Sequence, residues 1–259
     1  MRQIDLEIEI AASPEEVWRA VSTGEGISSW FAPVAKVEPG VGGKITIAWA
    51  PEMEGSSRID AWEPGRHLRV AQDRGEGQPP SVVDYFIETR DGATVMRLVQ
   101  SGFGPDASFD NEFDSTIRAW PVFLRLLKYS AEQGIGAVRK VAIFRMLTEP
   151  RDATWKKLTG PHALCAQGSF VGARQGEPFR VRTAAGELLD GRIGHFDPLG
   201  YCCLELERSS LGIFCEKCQD TSMLTLYWVL SGVTEERATE VKEQWTRHLE
   251  TWLGLSANA

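Results

Sequence analysis

Residues 2–10 alternate strictly. Ile4, Leu6, Ile8 and Ile10 fall on one side, and Gln3, Asp5, Glu7 and Glu9 on the other. A period of two with one apolar face predicts a strand half-buried against a core. The period then changes. Ser13-Pro14-Glu15-Glu16 carries the residues of a helix start, with Ser13 as cap, Pro14 in the first turn and Glu16 closing a capping box. Val17, Trp18 and Val21 turn one face of that helix inward, and Ile27, Trp30 and Phe31 mark a second short helix. Alternation returns over 34–38, 44–49, 56–62, 66–72, 81–89 and 93–101, with turn formers such as Pro39-Gly40, Glu63-Pro64-Gly65 and Asp91-Gly92 between the runs. Asp91-Gly92 between two alternating runs signals a hairpin. Asp110 is read as the cap of a long helix whose apolar stripe is Phe113, Ile117, Trp120, Leu124, Leu127 and Ala131. Pro121 inside that helix removes an amide donor, so a kink is expected there.

The order then starts again. A strand near 138–146 precedes a helix around 151–158, strands near 178–184, 187–196, 200–207, 212–218 and 223–231, and a last helix capped by Thr234. That helix carries Ala238, Val241, Trp245, Leu249 and Trp252. Particular residues answer one another across the halves. Trp62-Glu63-Pro64 answers Phe196-Asp197-Pro198, Gly42-Gly43 answers Gly176-Glu177, Trp18 answers Trp155, Ser101-Gly102 answers Ser231-Gly232, and Trp120 answers Trp245. A repeat of this length is a duplicated domain, not a solenoid unit. The expected domains are 1–135 and 137–259. Strands grouped between helices predict an α+β fold: two tandem domains, each a curved antiparallel sheet covered by a long C-terminal helix. A helix laid over a curved sheet leaves space beneath it.

Length and composition agree with two ordinary globular domains: 259 residues, 42% apolar and 25% charged. The net charge of −8, with no Lys/Arg-rich block, argues against a nucleic-acid partner. No apolar run approaches a membrane span. The start, Met1-Arg2-Gln3-Ile4-Asp5-Leu6-Glu7, lacks the apolar core of a secretory signal, so a cytoplasmic location is expected. The nine Trp change the picture more. Aromatic walls suit apolar ligands. The candidate ligand-binding set is Trp49, Trp62, Tyr85, Phe113 and Trp120, with Ile117 and Leu124 on the same helix stripe. The alternative for these side chains is a fully packed core.

Other candidate chemistry is sparse. All five cysteines lie in the second half: Cys165, Cys202, Cys203, Cys215 and Cys218. Cys215-Glu216-Lys217-Cys218 is a single CxxC, whereas a structural zinc site takes four ligands. Cys202 and Cys203 are neighbours on a strand and face opposite ways, so only one of them can join. Buried or adventitious thiols are the expected reading, with no metal. His67, His162, His195 and His248 are scattered without a nucleophile partner and read as surface or edge residues. Asp60, Asp84 and Arg97 fall in strands. Alternation sets Asp84 opposite Val83 and Tyr85, on a solvated outer face; the side of Asp60 stays open. Gly40-Val41-Gly42-Gly43 precedes a strand and offers no helix N-terminus to a phosphate. No cofactor is expected.

Ile8-Glu9-Ile10-Ala11-Ala12-Ser13-Pro14-Glu15-Glu16-Val17-Trp18, Trp30-Phe31, Gly42-Gly43 and Ile59-Asp60-Ala61-Trp62-Glu63-Pro64, followed by the helix with Trp120 and Leu124, resemble the START-like (SRPBCC, helix-grip) superfamily. The first half is most similar to the domain resembling the C-terminal part of the heat-shock chaperone ATPase activator. The second half resembles it more weakly: Arg151-Asp152 replaces the Glu-Glu pair, and the short second helix is poorly marked at Gly160-Pro161-His162. The resemblance implies a cavity between sheet and long helix. It implies a non-enzymatic binding protein for a small apolar ligand, with a chaperone cofactor as the alternative and a cyclase or hydrolase using an inward Asp or His as a third reading.

Overall fold

In a computed structural model that describes residues 2–49, 53–160, 164, 166–167, 170, 172–184 and 186–254, the chain divides into two compact units, Met1–Val138 and Arg139–Ala259. The fold is α+β, with two antiparallel sheets in tandem. The expected short helix at Gly160-Pro161-His162 lies outside the described residues beyond Gly160, as do His162 and Cys165.

The first unit runs β1 (Arg2–Ile10), α1 (Pro14–Ser22), α2 (Gly24–Trp30), β2 (Val34–Glu38), β3 (Lys44–Ala48), β4 (Glu54–Glu63), β5 (His67–Gln72), β6 (Ser81–Arg90), β7 (Ala93–Phe103) and α3 (Asp110–Gln133). Its sheet has the order β1-β7-β6-β5-β4-β3-β2. Ser13 caps α1 as expected, its Oγ accepting the Glu16 N–H at 3.2 Å. Glu16 turns its carboxylate to Arg19, 3.5 Å away. Asp110 is not the cap of α3. That place falls to Phe109, which ends a 3-10 turn, and Asp110 sits inside the first turn, paired with Arg2 at 2.5 Å. The helix passes through Pro121 as one element.

The stripe on α3 needs a second correction. No residue from Asp110 to Arg118 is buried; burial begins at Ala119. Ile117 is 37% exposed. A 3.6-residue period tells which side of a helix faces the core, but not how far along the axis the core extends. Beyond Ala119 the stripe is buried as read, with Trp120, Leu124, Leu127 and Ala131 inside.

The second unit runs β8 (Val138–Leu147), α4 (Arg151–Thr159), β9 (Pro178–Arg182), β10 (Leu188–Asp197), β11 (Tyr201–Leu206), β12 (Ser209–Cys218), β13 (Thr221–Ser231) and α5 (Glu235–Leu253). Its sheet order is β8-β13-β12-β11-β10-β9. Thr234 caps α5 by accepting the Arg237 N–H at 3.2 Å.

The duplication is visible bond by bond. In the first unit Gly42 N–H donates to Ile59 O at 2.9 Å and Ile59 N–H to Gly43 O at 2.8 Å; in the second, Gly176 N–H donates to Ile193 O at 2.7 Å and Ile193 N–H to Glu177 O at 2.9 Å. Gly42 and Gly176 hold the same left-handed turn, with φ of 84° and 85°, a conformation that Gly adopts without strain. A register shift follows each pair, between Ile59 and Ala61 and between Ile193 and His195. Trp18 meets Trp62 edge-on at 5.0 Å, and Trp155 meets Phe196 at 6.1 Å. The closing hairpins share two-residue loops, Asp91-Gly92 and Gln219-Asp220, with positive φ at Asp91, Gly92 and Gln219. Register from these loops sets Val83 opposite Gln100 and Leu211 opposite Trp228. Gln100 therefore answers Trp228, and Ser101 answers Val229. The expected match of Ser101 to Ser231 is two residues out, because sequence comparison aligned two Ser-Gly pairs near the strand ends, whereas Ser101 is within the ladder, opposite Val82, and Ser231 lies just past it.

Candidate functional site

A cavity of about 180 Å³ lies in the first unit. Strands supply one wall: Ile45 and Ile47 from β3, Ser57 from β4, Val70 and Gln72 from β5, Ser81, Val83 and Tyr85 from β6, and Gln100 from β7. They share one face because alternate residues of a strand point the same way and the register puts Val70 opposite Val83 and Val83 opposite Gln100. The cover comes from three helical pieces. Val21 of α1 and Ile27 and Trp30 of α2, with Phe31 just after it, contribute more of it than α3, which supplies Trp120.

The helices around the cavity are tied down by local chemistry. Thr23 caps α2 by accepting the Gly26 N–H at 3.0 Å, and Trp30 Nε1 donates to Ala20 O at 2.9 Å, locking α2 onto α1. Phe31 stacks parallel to Trp120 at 5.7 Å, with an interplanar angle of 6°. Tyr85 approaches Trp120 edge-on at 6.5 Å. One end of the cavity is polar. Trp120 Nε1 donates to Gln100 Oε1 at 2.5 Å, and Gln100 Nε2 donates to Ser81 Oγ at 3.3 Å. Gln72 lies opposite Ser81 across the β5–β6 ladder. Burial raises the Tyr85 phenol above its ordinary value, so the ring stays neutral at working pH. Among the described residues that line the cavity there is no Asp, Glu, Lys, Arg or His. Ile47, Val70 and Val83 are only half-buried although they face inward.

Of the residues expected to bind a ligand, the structure brings Tyr85 and Trp120 together at this cavity. Trp49 stands one layer out, edge-on to Phe31 at 4.9 Å. Leu124 is buried in the core away from the lining. Trp62 is turned to Trp18 of α1. Phe113 packs edge-on against Phe103 at 5.1 Å beneath the Arg2 guanidinium, and Ile117 faces outward. Sequence reasoning missed the polar end, Gln72, Ser81 and Gln100, and the α2 contribution. The signal for the polar end was present: Ser81 shares the inward alternation of Val83 and Tyr85.

The strand charges lie elsewhere. Arg97 pairs with Asp5 and Arg58 with Asp60, both at 2.6 Å. Asp84 faces away from the cavity as read, but it is not solvated. It is 7% exposed, with Oδ1 2.7 Å from His67 Nε2 and Oδ2 3.6 Å from Arg69. His67 stacks on Phe86 at 4.4 Å and borders an open groove of about 560 Å³ with Pro14, Arg66 and Glu88. It is a held residue and not a loose edge histidine.

In the second unit, among the described residues, apolar side chains occupy the equivalent strand positions. Register puts Leu204 where Val70 stands, Leu211 for Val83, Leu206 for Gln72 and Trp228 for Gln100. Trp245 of α5 meets Trp228 edge-on at 4.7 Å, where Trp120 bonds Gln100. Leu204 and Leu211 are fully buried. Cys202, Cys203 and Cys215 are buried, and Cys218 is partly exposed. Burial pushes the Cys215 thiol up to about 12, and its Sγ donates to Arg151 O at 3.7 Å. A thiol so placed is inert. Among the described residues no group of three His, Cys, Asp or Glu side chains is placed to hold a metal, and no helix is long and apolar enough to cross a membrane.

Residues 11–132 match the sequence profile of a family described as Activator of Hsp90 ATPase homolog 1-like protein. No curated protein matches the chain. Similar solved structures include protein MLL2253 from Mesorhizobium loti, at 26% identity over 49% of this chain and 94% of that one, with a TM-score of 0.43. The Aha1 dimer from Colwellia psychrerythraea is 22% identical over 51% of this chain and 97% of its own, also at 0.43. DynU16, a protein of the dynemicin biosynthetic locus, is 15% identical over 98% of this chain and 97% of its own, again at 0.43. Over residues 11–132 the chain is thus similar to the family described as Activator of Hsp90 ATPase homolog 1-like protein.

Proposed function

We propose that the first unit is a non-enzymatic binding domain, working in the cytoplasm, that takes a small apolar molecule into the cavity between its sheet and helices. One observation carries this reading: the same architecture occurs twice in one chain, hollow in the first copy and filled at the equivalent positions in the second. A sealed apolar void of 180 Å³ costs about 4 kcal/mol at about 24 cal/mol per Å³, and this open, partly polar cavity costs less than that. The chain itself contains the substitutions that remove that cost. A single buried ring removes enough apolar surface to contribute about 4–6 kcal/mol before ordering costs. Before the costs of association that is at best a dissociation constant of tens of micromolar to about a millimolar.

Thermal melting of the full chain with millimolar ring-sized compounds tests the proposal. The wild type is expected to melt several degrees higher with ligand. Gln100→Trp, which copies the second unit, is expected to melt higher without ligand and to respond to none. A wild type that ignores every ring-sized compound would sink the carrier reading.

The family match supports a second reading, a cofactor that binds a heat-shock ATPase. Its test is the ATPase rate of purified Hsp90 with and without this chain, and an unchanged rate counts against it. A cyclase or hydrolase has less support, since the described cavity wall has no charged acid–base residue.

A further inference from the structure

We infer that the ligand of the first unit is a neutral molecule of one aromatic ring bearing an uncharged hydrogen-bonding group, such as a phenol or aryl ketone. This rests on the carrier reading above and narrows it.

Size sets the first limit. A cavity of about 180 Å³ is close to the ~150 Å³ void that accepts benzene. A long acyl chain or a fused polycycle cannot be enclosed there. The walls set the second limit. Phe31 and Trp120, stacked on one side, face the aliphatic Ile47, Val70 and Val83 on the other, which suits a flat ring. Charge sets the third. With no ionised group among the described lining residues, a carboxylate or ammonium entering here loses its water and gains no counter-charge. Polarity sets the fourth. The amides of Gln100 and Gln72 and the hydroxyl of Ser81 gather at one end, where they ask for a polar substituent.

The duplication shows that the fold does not require that polar end. Where the cavity is filled, Gln100 is replaced by Trp228 and Gln72 by Leu206. Ser209 keeps the serine at the place of Ser81, but both amides are gone where the cavity is filled. A polar end kept only for packing has no reason to follow the void.

Calorimetric titration of the full chain with toluene, p-cresol, benzoate and decanol tests the inference. p-Cresol is expected to bind roughly tenfold tighter than toluene, about the effect of one net hydrogen bond. Benzoate and decanol are expected not to bind in the same range. Gln100→Leu is expected to bring p-cresol down to the affinity of toluene in the same variant. Should Gln100→Leu fail to fold, Ser81→Ala keeps the Gln100–Trp120 bond and is read for the same loss of selectivity. Equal binding of p-cresol and toluene by the wild type overturns the polar anchor and leaves the carrier standing. Benzoate binding as tightly as p-cresol overturns neutrality, and decanol binding overturns the size limit. Failure of all four overturns the carrier itself.

Discussion

Gln100 and Trp228 hold the same register position in two copies of one fold, and with Val70/Leu204, Val83/Leu211 and Gln72/Leu206 they separate the lining of the first interior from that of the second. The amide completes a chain from Trp120 through Gln100 to Ser81; the indole meets Trp245 and fills the space. Glu187, in the second unit, shows what enclosure does to an acid. Burial pushes its carboxyl above the ordinary 4.5, against a hydrogen bond from Trp245 and the charge of Arg237. The folded state then favours the protonated form. The stability this group contributes is full below 4.5 and is lost as pH rises through the raised folded value. Melting temperatures between about pH 4 and pH 7 are expected to fall in wild type relative to Glu187→Gln, which cannot ionise. Two parallel curves would show that the carboxyl is not enclosed.

At the scale of elements, the duplication sorts framework from function. The Trp18–Trp62 contact joins α1 to β4, and Trp155–Phe196 joins α4 to β10 in the same way. Trp62 is therefore a clamp between helix and sheet and not a cavity wall. The second unit already contains Phe at this position, so Trp62→Phe is expected to cost under about 1 kcal/mol. Trp62→Ala removes the ring contact and part of the packing and is expected to cost about 2 kcal/mol in denaturant unfolding. Equal losses for the two variants would contradict the clamp. The same scale explains Ile117. Its spacing placed it on the stripe of α3, but the helix outruns the core by its first turns. Helical period was legible in the sequence, and the extent of the cover was not.

For the whole molecule, two copies with one hollow predict a simple stoichiometry. Titration with p-cresol is expected to give one site per chain, and Gln100→Trp is expected to abolish it. Two equal sites would mean that the second interior opens to ligand despite Trp228, Leu204 and Leu211.

Alternation, helical stripes, capping residues and turn formers lay in the sequence, and local backbone chemistry determines them. They sufficed for the strand–helix order, the α+β class, the duplication and the Ser13 and Thr234 caps. The aromatic set was legible only as a list of large side chains, because periodicity reports a face and not a neighbour. Tertiary structure decided which of them meet: Trp120 and Tyr85 at the cavity, Trp62 on Trp18, Phe113 on Phe103. It also decided that Asp84 is buried by His67, and that Gln100 and not Ser101 is among the lining positions that differ between the copies. Each of these depends on cross-strand register and on which helix covers which strand, contacts between residues far apart in the chain that no local pattern encodes.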